Sequence, residues 1–281
     1  MISFKQVARR FAKSPGFTTV TLVTLAVGIG ANTAIFSVLN GVLLKPLPFP
    51  DPDRLVGVWE TAPGVGIKDM QASPSTYLTF REEGRVFEDI GMWRNDAVTV
   101  TGLAEPEHVE SLTVTDGLLP ILGIQPLRGR WFTRQDDSPG SPATVMLTYG
   151  YWQRRFGGQA SAIGRTLMVD GKGREVIGVL PRNFRFMSAH PQLLVPFQIN
   201  RSEVFVGNFS EYTLARLKPG ATVAQANADV ARMLPLMAGK FPPPPGFSMK
   251  IFEQARIGPN VRPLKQDVVG DVGKVLWVLM A

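Results

Sequence analysis

Hydrophobic and polar positions divide this chain unevenly. No charged residue occurs between Lys13 and Lys45, and the stretch from Phe17 to Leu44 reads FTTVTLVTLAVGIGANTAIFSVLNGVLL. Roughly 20 apolar residues cross a hydrocarbon core of about 30 Å, so this run predicts one membrane-spanning helix over 17–44 with residues to spare. A helix buried in a soluble domain would be shorter and would keep a polar stripe. A cleaved signal peptide has a core of about 7–15 residues ending at a small-x-small site before a polar chain. Here the run meets KPLPFPDP instead, whose prolines at 46, 48, 50 and 52 stop the helix. It reads as a retained anchor preceded by a basic, amphipathic segment over 1–16.

Beyond Lys45 the pattern changes to short segments. Runs rich in β-branched residues predict strands at Leu55–Trp59, Ala97–Thr101, Leu112–Thr115, Ala143–Thr148, Thr166–Val169, Glu175–Leu180, Leu193–Ile199, Glu211–Leu217 and Ser248–Phe252. Helices interrupt them. Thr222 and Gln225 form a capping box, after which Val223, Ala226, Val230, Met233, Leu234 and Met237 recur at helical spacing up to Gly239. Two shorter helices are predicted at Ser75–Glu83 and Tyr149–Phe156, the second with Tyr149, Trp152 and Phe156 on a core-facing side. The run Phe241–Gly246 is a stiff polyproline connector. Strands and helices mixed without regular βαβ alternation give an α+β fold.

Charge orients the anchor. Lys5, Arg9, Arg10 and Lys13 precede it with no acid among them, whereas Lys45 and Arg54 after it are accompanied by Asp51, Asp53 and Glu60. The positive-inside rule then puts the N-terminus in the cytoplasm and the large domain outside the inner (plasma) membrane. The first thirteen residues supply +4 of the net +7, leaving 26 basic against 23 acidic residues in the remainder. With these scattered and no basic stripe interleaved with aromatics, nucleic acid is not an expected partner. The lipid bilayer is. The chain has no cysteine, which a domain large enough to build its own core does not need.

Candidate chemistry is sparse. His108 and His190 lack metal-ligand spacing to each other, and the adjacent acids Glu82-Glu83 and Asp136-Asp137 do not form a positioned acid and base. Gly171-Lys172 and Gly273-Lys274 do not make a phosphate loop. The earlier glycine would fall at Thr166 and Val268, and Gly173 and Val275 replace the Ser or Thr that binds magnesium. No catalytic, cofactor-binding or metal residue is therefore assigned, and the domain is read as non-enzymatic. Within the anchor, Ala26, Gly30 and Ala34 at four-residue spacing suit close helix packing, and Asn32 suits a protein neighbour more than lipid. The apolar tail VLWVLMA, which follows RPLKQDVVGDVGK, reads as the start of a second membrane helix over 266–281.

Four blocks carry a family resemblance: GIGANTAIFSVLNGVLLKPLPFPDPDRLV, SPSTYLTFRE, LTYGYWQRRFGG followed by IGRTLMVDGKGREVIGVLP, and LKPGATVAQANADV. They resemble permease subunits of the MacB/FtsX type of ABC transporter, more narrowly the duplicated orphan permeases common in acidobacteria. The resemblance implies a MacB-like periplasmic domain in two parts, a split porter-like α+β subdomain over 45–115 and 209–265 and a β-rich insert over 116–208. It also implies a separate ABC ATPase subunit and further permease helices as partners, with export or mechanotransmission as the role. A stand-alone signal-anchored periplasmic binding or sensor domain is the alternative. The residues alone do not choose a substrate.

Overall fold

The computed structural model describes residues 15–39, 46–102 and 105–270. The apolar segment and the region from Pro48 to Val268 are separate compact units. The first holds α1, Pro15–Leu39, whose 25 residues extend about 37 Å at 1.5 Å per residue. Its large apolar side chains, among them Phe17, Val20, Leu22, Val27 and Ile29, are exposed. Polar side chains inside it look after themselves: Thr24 Oγ1 donates to Val20 O at 2.8 Å and Thr33 Oγ1 to Ile29 O at 2.7 Å. Residues 40–44 of the expected span and the tail 271–281 lie outside the described residues.

The second unit is built on β1 (Leu55–Ala62), β2 (Ile67–Met70), β3 (Phe87–Thr101), β4 (Glu107–Val114), β5 (Arg128–Gly129), β6 (Thr144–Leu147), β7 (Thr166–Val169), β8 (Lys172–Val179), β9 (Leu193–Pro196), β10 (Tyr212–Leu217) and β11 (Gly258–Pro263). The helices are α2 (Pro74–Glu83), α3 (Leu118–Ile121), α4 (Tyr149–Phe156), α5 (Val223–Lys240), α6 (Lys250–Ala255) and α7 (Leu264–Val269). Strands β11, β1, β10 and β3 form an antiparallel sheet in that order. Alternation sends Val56, Val58, Ile90, Met92, Ala215 and Val261 to one face, where Tyr77 and Phe80 of α2 and Ala226, Val230 and Met233 of α5 cover them.

Local chemistry sets the helix limits. Ser73 accepts from Thr76 N at 3.2 Å while Thr76 Oγ1 accepts from Ser73 N at 2.9 Å, a reciprocal cap for α2. The Thr222–Gln225 box does the same for α5, which runs through Pro235 to Lys240, one residue beyond Gly239. Thr148 caps α4, and Gly157, at φ 58°, ends it in the left-handed conformation.

Strand β3 is 15 residues long because it serves two bodies. Its first half pairs with β10, its second with β4, and its last residues, Val100 and Thr101, with Val169 and Met168 of β7. Following the pairings β3–β4–β9–β6–β8–β7 and back to β3 closes a ring. This small barrel encloses Val98, Val100, Val109, Val145, Leu147, Leu167, Val169, Val176, Val179, Leu193 and Val195, against which Tyr151, Trp152 and Phe156 of α4 pack. The Asp170-Gly171 turn between β7 and β8 has φ 49° and 73°, so Gly171-Lys172 belongs to a hairpin.

Ser248–Phe252, expected as a strand, is not one: Lys250–Ala255 is helix. Met249, Phe252 and Ala255 recur every three residues, and Met249 and Phe252 pack on the cluster of Val204, Val206, Met237 and Phe241. That burial overrides the apparent alternation of Met249 and Ile251.

Candidate functional site

The sheet of the second unit opens where two strands part. β1 and β10 pair only over Leu55–Gly57 and Leu214–Arg216, although both strands continue further. Beyond Gly57, β1 turns to β2 through Glu60↔Met70, and Ala72 bridges to Glu211 at the start of β10. A cavity of about 300 Å³ lies in this divergence, lined by Val58, Trp59, Ala72, Trp93, Tyr212 and Thr213 among others.

Its aromatic wall follows from register. Trp93 is paired with Tyr212 across β3 and β10, and the rings stack with centroids 5.3 Å apart. Trp59 meets Tyr212 edge-on at 5.8 Å, and Phe186 meets Trp93 edge-on at 5.2 Å. Arg262 lies over Trp59 at 4.7 Å, and Asp267 of α7 accepts from Trp59 Nε1 at 2.9 Å and pairs with Arg262. This contact explains Gly57: a Cβ there would lie 1.8 Å from Asp267 Oδ2.

Acids near the divergence are heavily desolvated. Glu60 is fully buried with neither carboxylate oxygen hydrogen-bonded among the described residues, and burial pushes it up to about 8. Burial also raises Glu211, although its Oε1 is held by Arg94 at 3.1 Å. A second, more polar cavity of about 430 Å³ is lined by Tyr77, Arg81, Asp116, Arg134, Asp137 and Arg201, among others. There Arg81 grips Asp116 through two bonds of 2.6 and 2.8 Å, and burial lifts Asp137 to about 6. Its neighbour Asp136 is instead held down to about 2, because Arg130 and Thr133 outweigh its desolvation. The two adjacent acids thus belong to different surroundings. Glu82 and Glu83 both bind Lys240.

The residues singled out in the anchor sit apart from these cavities in sequence and unit. Ala26, Gly30 and Ala34 share a stripe on α1 and are exposed, and a Cβ added at Gly30 meets nothing within 4 Å. Asn32 is exposed too, but at about 100° per residue it stands about 200° around the helix from Gly30. His108 and His190 are exposed, and among the described residues no cluster of His, Cys, Asp or Glu is placed to hold a metal. What sequence reading missed is the aromatic wall, whose only linear signal is an aromatic residue in each of two expected strands, Trp59 and Tyr212, since the stretch around Trp93 is not among the expected strands.

The model of the MacB-like periplasmic core domain matches residues 18–233, most of the chain. The chain belongs to this family. The MacB-like periplasmic core domain thus covers part of α1, both cores and most of α5, while β11 and α7, which border the aromatic cavity, follow the matched segment. Its ABC-transporter-type permease context fits the long apolar helix, which suits a membrane anchor for an extracytoplasmic domain. The fold is similar to a domain of a permease-like protein from Porphyromonas gingivalis, with TM-score 0.56 and 16% identity over 76% of this chain and 92% of that one. It is also similar to the periplasmic region of MacB from Actinobacillus actinomycetemcomitans, with TM-score 0.53 and 12% identity over 84% of this chain and 97% of that one. No curated protein matches the chain significantly by sequence.

Proposed function

We propose that this chain is a non-catalytic permease component of a MacB/FtsX-type ABC transporter, coupling a cytoplasmic ATPase to movement of its extracytoplasmic domain. The observation that carries this reading, beside the family, is where the domain's two ends lie. The chain comes in before Leu55 and leaves after Pro263, and Val56 is paired with Pro263, so both ends emerge at one end of the sheet. Membrane helices attached there would act on the whole domain from one side. In this reading the N-terminus is cytoplasmic, 45–115 with 209–265 is the porter-like part, and 116–208 is the insert, which closes its barrel with borrowed strands β3 and β4. The stripe of Ala26, Gly30 and Ala34 meets another permease helix, and Asn32 meets a different neighbour.

The test is co-purification from the native membrane. An ABC ATPase subunit should accompany the full chain, and Gly30→Leu should reduce its recovery several-fold while the domain's near-ultraviolet circular dichroism stays unchanged. A reporter fused after Lys45 should be active only outside the cytoplasm. Recovery of the chain without an ATPase would favour an anchored binding or sensor domain, a reading that the aromatic cavity supports.

A further inference from the structure

The aromatic cavity combines apolar walls with hydrogen-bonding groups that are not engaged. Among the described residues, the side chains of Gln71, Asn95 and Ser188 and the hydroxyls of Tyr212 and Thr213 line it without a protein hydrogen-bond partner; Thr213 is buried, Gln71 and Tyr212 are half-buried, and Asn95 and Ser188 are exposed. All five groups are neutral. Of the charged residues of the lining, Asp267 is answered by Arg262 and Trp59, and Glu211 is paired with Arg94 through Oε1, which leaves its buried Oε2 as a further acceptor but no unpaired net charge. A charged ligand would leave water without finding a free counter-charge, which is costly. A purely apolar one would leave the buried Thr213 hydroxyl unpaired and take water from the half-buried Gln71 amide and Tyr212 hydroxyl.

We propose that this cavity binds a neutral saccharide. A sugar ring presents a C–H face to apolar walls such as Trp59, Met187, Leu264 and Val268, and a rim of hydroxyl or acetamido groups to Gln71, Asn95, Ser188 and Tyr212. At about 300 Å³ the cavity stands at the lower end of the range of about 300–1,000 Å³ for small-molecule sites, which sets the size to a small saccharide. Its floor at Trp59 and Asp267 joins the β1–β11 pair to α7, so occupation would stiffen the end of the domain from which the chain departs.

The test uses the full chain in lipid nanodiscs, free of glycosidic detergent. Cellobiose and N,N′-diacetylchitobiose are titrated while tryptophan emission and heat are followed, with choline and benzoate as charged comparators. At least one disaccharide should bind saturably and shift the emission, and both charged probes should bind at least tenfold more weakly. The double variant Gln71→Ala, Asn95→Ala should lose at least tenfold in affinity through the loss of two hydrogen-bonding amides, with unchanged near-ultraviolet circular dichroism. Absence of saturable binding by both disaccharides, preference for choline or benzoate, or unaltered affinity in the folded double variant would each overturn the proposal.

Discussion

Replacing Glu60 by Gln tests whether a fully buried carboxyl makes the fold sensitive to alkali. In the folded chain burial raises this group from 4.5 to about 8. Below about pH 4.5 it is protonated both folded and unfolded and costs nothing. As pH rises from there, the unfolded chain releases the proton and the folded chain keeps it, so stability falls until about pH 8 and then levels off. At 1.36 kcal/mol for each pH unit between 4.5 and about 8, the loss amounts to about 5 kcal/mol in total, most of it between pH 5 and pH 8. For a domain of this size that corresponds to roughly 10 °C in Tm. Glu60→Gln is neutral throughout, so its amide adds the same offset at every pH. The measurement is therefore the change with pH of the difference in Tm between Glu60→Gln and the parent chain, which cancels contributions from groups such as Asp137. The variant should gain roughly 10 °C on the parent between pH 5 and pH 8. A difference in Tm that stays constant over that range would show that Glu60 ionises normally and would refute the reasoning.

Two other substitutions probe the contacts that shape the sheet. Gly57→Ala would drive a methyl group into Asp267 and break its bond with Trp59, so we expect a loss of about 1–3 kcal/mol in urea unfolding together with red-shifted tryptophan emission. Arg216→Met would remove a buried guanidinium that donates to Ile121 O at 2.7 and 3.0 Å and to Pro50 O at 2.8 Å, and a loss of about 3 kcal/mol by the same assay is expected.

Features specified by neighbouring residues were readable in the sequence. Helix α4 lies at Tyr149–Phe156 as read, because Thr148 and Gly157 supply its start and stop within the segment itself. The capping box at Thr222 and the strand Thr166–Val169 are equally local. The first half of β3 was not readable. Glu88, Asp89, Gly91, Arg94 and Asn95 give it no clean alternation, and it becomes a strand because β10 and β4 supply partners. Closure of the barrel rests on Val100 meeting Val169, which no linear pattern announces. The aromatic wall is hidden for the same reason: Trp59, Trp93 and Tyr212 become neighbours only through strand register. Ser248–Phe252 was misread because two periods fit a short apolar segment, and only the cluster around Phe241 selects one.

The antiparallel pairing of β1 and β11, which sets the chain's entry near Val56 beside its exit near Pro263, has a mechanical meaning. If the two ends are drawn apart sideways, the ladder from Val56↔Pro263 to Thr61↔Gly258 opens like a zipper, one bond at a time. If they are drawn together away from the far end of the domain, β1 and β11 move as one and the load passes in shear to the pairing of β1 with β10. Held at both ends, the domain would thus be stiff when its two attachments move in concert and yielding when they separate, so a pull would be passed along its length while a mismatch between the attachments would be absorbed at their root.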